Sequence, residues 1–356
     1  MGYLNYLNLS LPRLNSEPNY WADHVEFFCF IAQEGKISEK QLIDRLLDEN
    51  SNNSLNAVKD VLEEDEINEL LETLSSPEDP FEDEVIDGTN DNSVFRDKIS
   101  SKINSYFNLL KARQINFGED YPFVVSNNDI SIKENLSSIQ TLYIVLVCSS
   151  LLKLATRSGR NKMGHHFEEL CGPVFKKLTP ENTQNIFFGS GISENLVPSI
   201  NGTFYDKVVT LCELLHVRPR TNFTRENAGI QNVGDGGLDW VGIFNFSDSQ
   251  FSQPVFFGQC ACGTDWIDKQ FDCHLSKWKN YIEFNNGYLT YHFIPRSFRD
   301  ESLNWYNPLD INDVVLIDRY RLISILKSEL NISNVLESIY NEFLEEITQN
   351  KIDSFM

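Results

Sequence analysis

Two short apolar runs, "LDWVGIFNF" (238–246) and "PVFFGQCAC" (254–262), constrain this chain more than any other feature. Each is too short for an ordinary helix, and the polar loop "SDSQFSQ" joins them, so they predict two neighbouring strands. A helical pattern comes before them, "FYDKVVTLCELLHV" (204–217), and another is expected over residues 266–284 after them. Strand-like "YLTYHFI" (288–294) and "DVVLI" (313–317) follow, then a helix "RYRLISILKSEL" (319–330) and an acidic outer helix over 333–349. Helices alternating with strands in this way predict an α/β layer structure for the C-terminal half.

The N-terminal half has a different texture. "YWADHVEFFCFIAQEG" (20–35) and "ISEKQLIDRLLDE" (37–49) carry apolar residues at three- and four-residue spacing, with Ser38 as a helix cap and Glu39 just after it. "LNAVKDVLEEDEINELLETL" (55–74) continues the pattern, and residues 75–93, rich in Pro, Gly, Asn and acid, read as a linker or loop. Helix is expected again from Val94 to about Ala112, a strand at "YPFVVS" (121–126), and a long apolar helix from about Leu136 to Thr156. The expectation is an acidic, mostly helical region at 1–150, preceding an α/β domain at 151–356. No internal repeat is visible.

Charge narrows the function. Of the net −22, residues 1–150 carry 11 basic and 27 acidic side chains, and residues 151–356 carry 19 and 25. Fourteen acids and no base lie between Lys59 and Arg96. Such a region is repelled by phosphate backbones, so any nucleic-acid chemistry belongs to the C-terminal half or needs a basic partner. Seven cysteines in 356 residues read as reduced thiols rather than a disulfide framework. With no signal-peptide pattern and no apolar stretch of membrane-spanning length, a cytoplasmic protein is expected. Walker loops, His-Glu-x-x-His and the nucleophile elbow are absent.

Three short motifs remain, "GHHFE" (164–168), "DGGLD" (235–239) and "GQC" (258–260). In this order they resemble the Gly-x-x-Phe-Glu helix, Asp-x-Gly-x-Asp turn and Gln-x-Lys strand of the PD-(D/E)xK restriction-endonuclease-like superfamily, in its Mrr-like branch. The resemblance covers roughly residues 155–330. It implies a mixed sheet flanked by helices and a Mg²⁺- or Mn²⁺-dependent DNA endonuclease of prokaryotic defence. Its partners would be DNA and a helicase, translocase or other ATPase, and a homo-oligomer is a further expectation.

On this reading Asp239 is the principal metal ligand, and Glu168 and Gln259 complete or support the site. A divalent cation polarises a phosphoryl oxygen and activates water, and Mg²⁺ prefers such oxygen ligands. Asp235 is expected to shape the turn. The superfamily's lysine would stand at Ala261, and Lys269, at the start of the next helix, is the candidate substitute. Lys277 and Lys279 are expected to face solvent or bind phosphate. Arg157, Arg160 and Lys162, with Lys153, and then Arg218, Arg220 and Arg225, are candidate phosphate contacts, with ordinary solvated surface as the alternative. Of His165 and His166, helical geometry lets only one reach the site.

Two further alternatives stay open. Cys260 and Cys262 with Cys273 and His274 have the residue types of a zinc site, although buried thiols account for them more simply. The alanine at 261 also suits a nuclease-like subunit that has lost catalysis and serves assembly. In a third reading the acids at 60–91 mimic phosphate in a basic groove.

Overall fold

The computed structural model describes residues 2–4, 9, 11–13, 16–51, 89–189, 198–229, 234–248, 250–328 and 332–352. The expected helix at 55–74 and residues 60–88 of the acidic segment read as a phosphate mimic lie outside these residues. Of the expected linker, residues 89–93 are described, and they begin a helix.

The chain divides into two compact units. One comprises Met1–Leu7, Ser137–Phe298 and Trp305–Glu346; the other comprises Asn8–Leu136, Arg299–Asn304 and Ile347–Met356. The division after Leu136 assigns the apolar helix that follows to the C-terminal unit, whereas the sequence reading carried the N-terminal region to residue 150.

The N-terminal unit contains helices α1 (Pro18–Ile31), α2 (Glu39–Ser51) and α3 (Thr89–Phe117) and a small antiparallel sheet of β1 (Lys36–Ser38), β2 (Phe123–Val125) and β3 (Asp129–Ile132) in the order β1-β3-β2. Sequence periodicity anticipated the helices and β2, but three- and four-residue strands such as β1 and β3 are too short to show a period. Ser38 and Gln41 bond reciprocally, main chain to side chain, and start α2. Helix α1 is buried nearly all round, and its acids are satisfied internally. Arg113 donates to Asp23 at 2.8 Å and to Glu26 at 2.9 Å, and Tyr121 donates to Glu26 at 2.7 Å. Breaking this group by removing the arginine would strand two buried carboxylates, a loss of about 3–5 kcal/mol.

The C-terminal unit is built on a five-stranded mixed sheet in the order β4-β5-β6-β7-β8. The strands are β4 (Thr183–Phe187), β5 (Trp240–Phe244), β6 (Val255–Cys260), β7 (Leu289–Phe293) and β8 (Val315–Ile317). β5 pairs antiparallel with both β4 and β6, and β7 and β8 then run parallel to β6. β4 was not anticipated, because "TQNIF" offers too few apolar residues to alternate.

Helices flank both faces: α4 (Ser138–Ser150), α5 (Arg157–Leu178), α6 (Phe204–Leu215), α7 (Trp266–Lys269), α8 (Leu275–Trp278), α9 (Arg319–Leu326) and α10 (Ile332–Gln349). The expected helix over 266–284 is instead α7, a 3₁₀ turn at Gln270–Cys273 and α8 in succession. Gly172-Pro173, the position at which the sequence predicts a kink, lies inside α5. Gly172 is required there, since a Cβ would stand 2.6 Å from the Trp240 ring. On the same face of β6, Gly258 packs against Phe175 of α5. The opposite face is closed by Phe204, Val208 and Leu211 of α6 and by Trp278 against Leu238, Val241 and Phe257. Helix α10 buries an apolar stripe of Leu336, Ile339, Tyr340 and Phe343. Among the described residues, no helix is long and apolar enough to cross a membrane.

Candidate functional site

Asp239 lies where β5 begins. The turn before it is formed by Gly236 and Gly237 at φ +66° and +83°, a left-handed backbone that glycine adopts without strain. Asp235 shapes this turn as expected, its Oδ1 accepting the Gly237 N–H at 2.8 Å. The Asp239 main chain is held on both sides: its N–H donates to the Gly258 carbonyl, and its carbonyl accepts the N–H groups of Phe188 and Gly189. Its carboxylate reaches across to β6, where Oδ2 accepts the Cys260 N–H at 2.6 Å.

Asp239 is 5% exposed. Burial, and then the negative fields of Glu168 and Asp235, hold its carboxyl well above the usual carboxylate range, against the lowering effect of the Cys260 N–H and the charge of Lys269. Glu168, from α5, extends its Oε2 toward Gly189, the residue that grips the Asp239 carbonyl; a Cβ there would be 3.3 Å from it. His165 binds Glu168 at 3.3 Å, and that hydrogen bond raises the imidazole pKa. His166 turns away to Tyr3, at 3.2 Å, and burial lowers its pKa to about 4. One histidine of the pair thus reaches the carboxylates, as helix geometry requires.

Gln259 sits on β6 and points away from α5. Its Nε2 donates to Asp272 Oδ2 at 3.3 Å, while its Oε1 is buried with no hydrogen-bond partner. Asp272 in turn holds Lys277 at 2.5 Å, and Lys277 donates to the Gly236 carbonyl at 2.8 Å. A polar chain therefore runs from β6 through the 3₁₀ turn and α8 to the turn that presents Asp239. The sequence reading assigned Lys277 to solvent or phosphate; the ion pair and the main-chain bond give it a clamping role instead.

Lys269 pairs with Asp265 at 3.5 Å and lies close enough to Asp239 to lower its pKa. Ala261, where the resemblance would put a lysine, is 1% exposed and packs in an apolar cluster with Trp266, Ile294, Phe298 and Leu316.

Two residues here were missed in the sequence. His292 on β7 is the direct register partner of Gln259 and fully buried, with the Trp266 main chain as its polar neighbour and no well-formed hydrogen bond at either ring nitrogen. Burial lowers its pKa to about 3, keeping it neutral. Lys207, 3% exposed, donates to the carbonyls of Phe188 at 2.9 Å and Gly189 at 3.0 Å. Its signal was legible: it falls on the apolar stripe Phe204, Val208, Leu211, Cys212, Leu215 of α6, where a lysine must find a buried partner.

The four residues considered for zinc turn to separate partners. Cys260 faces Cys171 of α5, Cys273 bonds the Gly237 carbonyl, and His274 bonds Ser276 and Asp313, while Cys262 is buried. Among the candidate phosphate contacts, Arg157 and Arg218 are exposed. Lys162 pairs with Glu342 at 3.1 Å, Arg160 bonds the Ala155 carbonyl, Arg220 bonds the Lys279 carbonyl, and Arg225 pairs with Asp206.

Among the described residues, no three His, Cys, Asp or Glu side chains form a group able to hold a metal ion by themselves. Mg²⁺ does not require one, since one or two carboxylates with water and substrate oxygens suffice. Glu168 and Asp239 supply hard anionic oxygens, which fit a hard divalent cation better than a thiophilic one, while the unpartnered Gln259 Oε1 lies on the face of β6 away from α5. Comparisons with protein-family models, with curated proteins and with solved structures find no match for this chain.

Proposed function

We propose that this chain is a Mg²⁺- or Mn²⁺-dependent DNA endonuclease of the PD-(D/E)xK type, an effector of prokaryotic defence that works with a DNA-handling ATPase. The observation that carries this reading is the enforced proximity of like charges. Asp239 is buried in the fields of Glu168 and Asp235, which makes its ionised form unfavourable until a cation joins it. A mixed sheet flanked by helices is also the coarse architecture that the motif resemblance implies.

When bound, the cation would supply Lewis-acid polarisation of the phosphoryl oxygen and a more acidic water. The chain's own groups do the rest. Asp239 and Glu168 would hold the cation, and the resemblance also assigns the Gln259 amide oxygen to its support. Asp239 is fixed by the Cys260 N–H and by the peptide groups of residues 188, 189 and 258. Lys277 and Asp272 lock the preceding turn, so that the carboxylate is preorganised. Lys269 contributes positive charge near Asp239 in place of a strand lysine. The net charge of −22 disfavours unaided DNA binding, which supports a requirement for a partner.

The test is incubation of the full chain with supercoiled plasmid DNA and Mg²⁺ or Mn²⁺, alone and with its partner ATPase. Cutting is expected for the native chain and loss of at least a hundredfold for Asp239→Ala, in line with removing an essential charged group. Undiminished cutting by Asp239→Ala removes the assignment.

A second reading, a nuclease-like subunit without catalysis, is favoured by the apolar enclosure of Ala261. It predicts that Asp239→Ala leaves both complex formation and biological activity intact.

A further inference from the structure

We propose that Lys207 is the charge-balancing group of the Glu168–Asp235–Asp239 cluster and thereby sets its affinity for a divalent cation. This inference rests on the metal-site reading above and goes beyond it, because no motif carries Lys207.

Lys207 is the only buried lysine among the described residues. Burying an ammonium is unfavourable unless charge and hydrogen bonds offset the loss of water. Two of its three donors go to the carbonyls of Phe188 and Gly189. The N–H groups of those same two residues donate to the Asp239 carbonyl, at 2.7 Å and 3.2 Å. The amine is therefore two hydrogen bonds from the Asp239 main chain, on a backbone segment that both residues share. Neither bond to a carbonyl provides a counter-charge, since carbonyls are dipoles. Burial lowers the Lys207 pKa, and the carboxylates of Asp235, Asp239 and Glu168 are the groups whose fields oppose that loss and favour the charged form. The same three acids make up the cluster in which Asp239 is destabilised.

Three carboxylates with one fixed ammonium have a different cation appetite from three carboxylates alone. A resident positive charge opposes an incoming divalent ion in a low-dielectric site, where charges a few ångströms apart interact strongly. Lys207 therefore keeps the cluster intact without metal and weakens the metal's hold, so that binding is reversible and responsive to substrate oxygens. A merely structural lysine has the opposite signature: its loss would loosen Asp239 and weaken the metal.

The experiment is calorimetric titration of Mn²⁺ into the full chain and into Lys207→Gln, which keeps a donor for the two carbonyls but no charge. Lys207→Met serves as a second neutral variant should the glutamine disturb folding, and Lys207→Arg retains the charge. Thermal unfolding of each confirms the fold. The expected result is Mn²⁺ binding roughly tenfold tighter in the neutral variants and within a factor of about two of native in Lys207→Arg. Equal or weaker binding by folded neutral variants overturns the role of Lys207 and leaves the metal site standing. Absence of Mn²⁺ binding in the native chain and all variants overturns the metal reading, and this inference with it.

Discussion

The carboxylate of Asp239 accepts the main-chain N–H of Cys260 at 2.6 Å, so a side chain occupies a place in the β5–β6 ladder that a main-chain carbonyl would ordinarily take. The Asp239 carbonyl is meanwhile committed to Phe188 and Gly189 on the other side. One residue thus ties together three chain segments at the end of the sheet. Rigid main-chain bonds hold the position while burial and neighbouring acids make its ionised form electrostatically unfavourable.

The first consequence concerns stability. Asp239→Asn keeps an acceptor for the Cys260 N–H and removes the buried charge. It is expected to raise stability at neutral pH by about 1–3 kcal/mol, the range for relieving an unfavourable buried ionised group, while abolishing plasmid cutting. Urea unfolding of both chains checks this. Added Mg²⁺ should narrow the difference, because only the native site gains from the cation.

Ala261→Lys addresses the absent strand lysine directly. The side chain would enter the cluster of Trp266, Ile294, Phe298 and Leu316, with no acid among its members. An unpaired buried ammonium and overpacking together are expected to lower stability by about 3–5 kcal/mol, without increasing DNA cutting. Thermal unfolding and the plasmid assay provide both readouts. Enhanced cutting by a stable variant would overturn this account of the pocket.

His292 gives the fold a pH dependence. Its folded pKa of about 3 lies below the unfolded value near 6.5, so below that value the unfolded chain takes up a proton that the folded chain refuses. The stability His292 permits is therefore complete above about pH 6.5 and is lost as pH falls toward 3, at up to about 1.4 kcal/mol per pH unit. His292→Leu should flatten that slope. It should also add about 1 kcal/mol at neutral pH by removing a buried imidazole whose ring nitrogens lack well-formed hydrogen bonds. Denaturant unfolding between pH 4.5 and 7.5 measures both effects.

Gly237→Ala tests the clamp on the turn. At φ +83° the alanine is strained, and its Cβ would lie 2.5 Å from the Cβ of Asp272. Displacing Asp272 breaks its links to Gln259 and Lys277 together, so a loss of about 2–4 kcal/mol is expected. Cutting should fall as well, because Lys277 bonds the Gly236 carbonyl. Gly164→Ala, a helical site with nothing within 4 Å of the added carbon, is the control, and its unfolding midpoint should not fall.

Local pattern was enough to identify the β5–β6 pair, α6, β7 and β8, because their apolar residues repeat with the period of the element that buries them. It was also enough to foresee that Asp235 would close the Gly236–Gly237 turn and that at most one of two adjacent histidines could reach the neighbouring carboxylates, while Asp239, Glu168 and Gln259 came from motif resemblance. Sequence could not show β1, β3 or β4, which are too short or too polar to carry a period and exist because neighbouring strands pair with them. Nor could it show the Gln259–Asp272–Lys277–Gly236 chain, whose members come from β6, a 3₁₀ turn, α8 and a loop. The neutrality of His292 and the sealing of Ala261 are likewise products of packing. Lys207 stands between the two cases: its place on an apolar stripe is written in the sequence, but its bonds to Phe188 and Gly189 exist only because the fold brings α6 to the end of β4. Periodicity is a local property of the chain, whereas the field at a carboxylate is the sum of charges that only tertiary structure brings close.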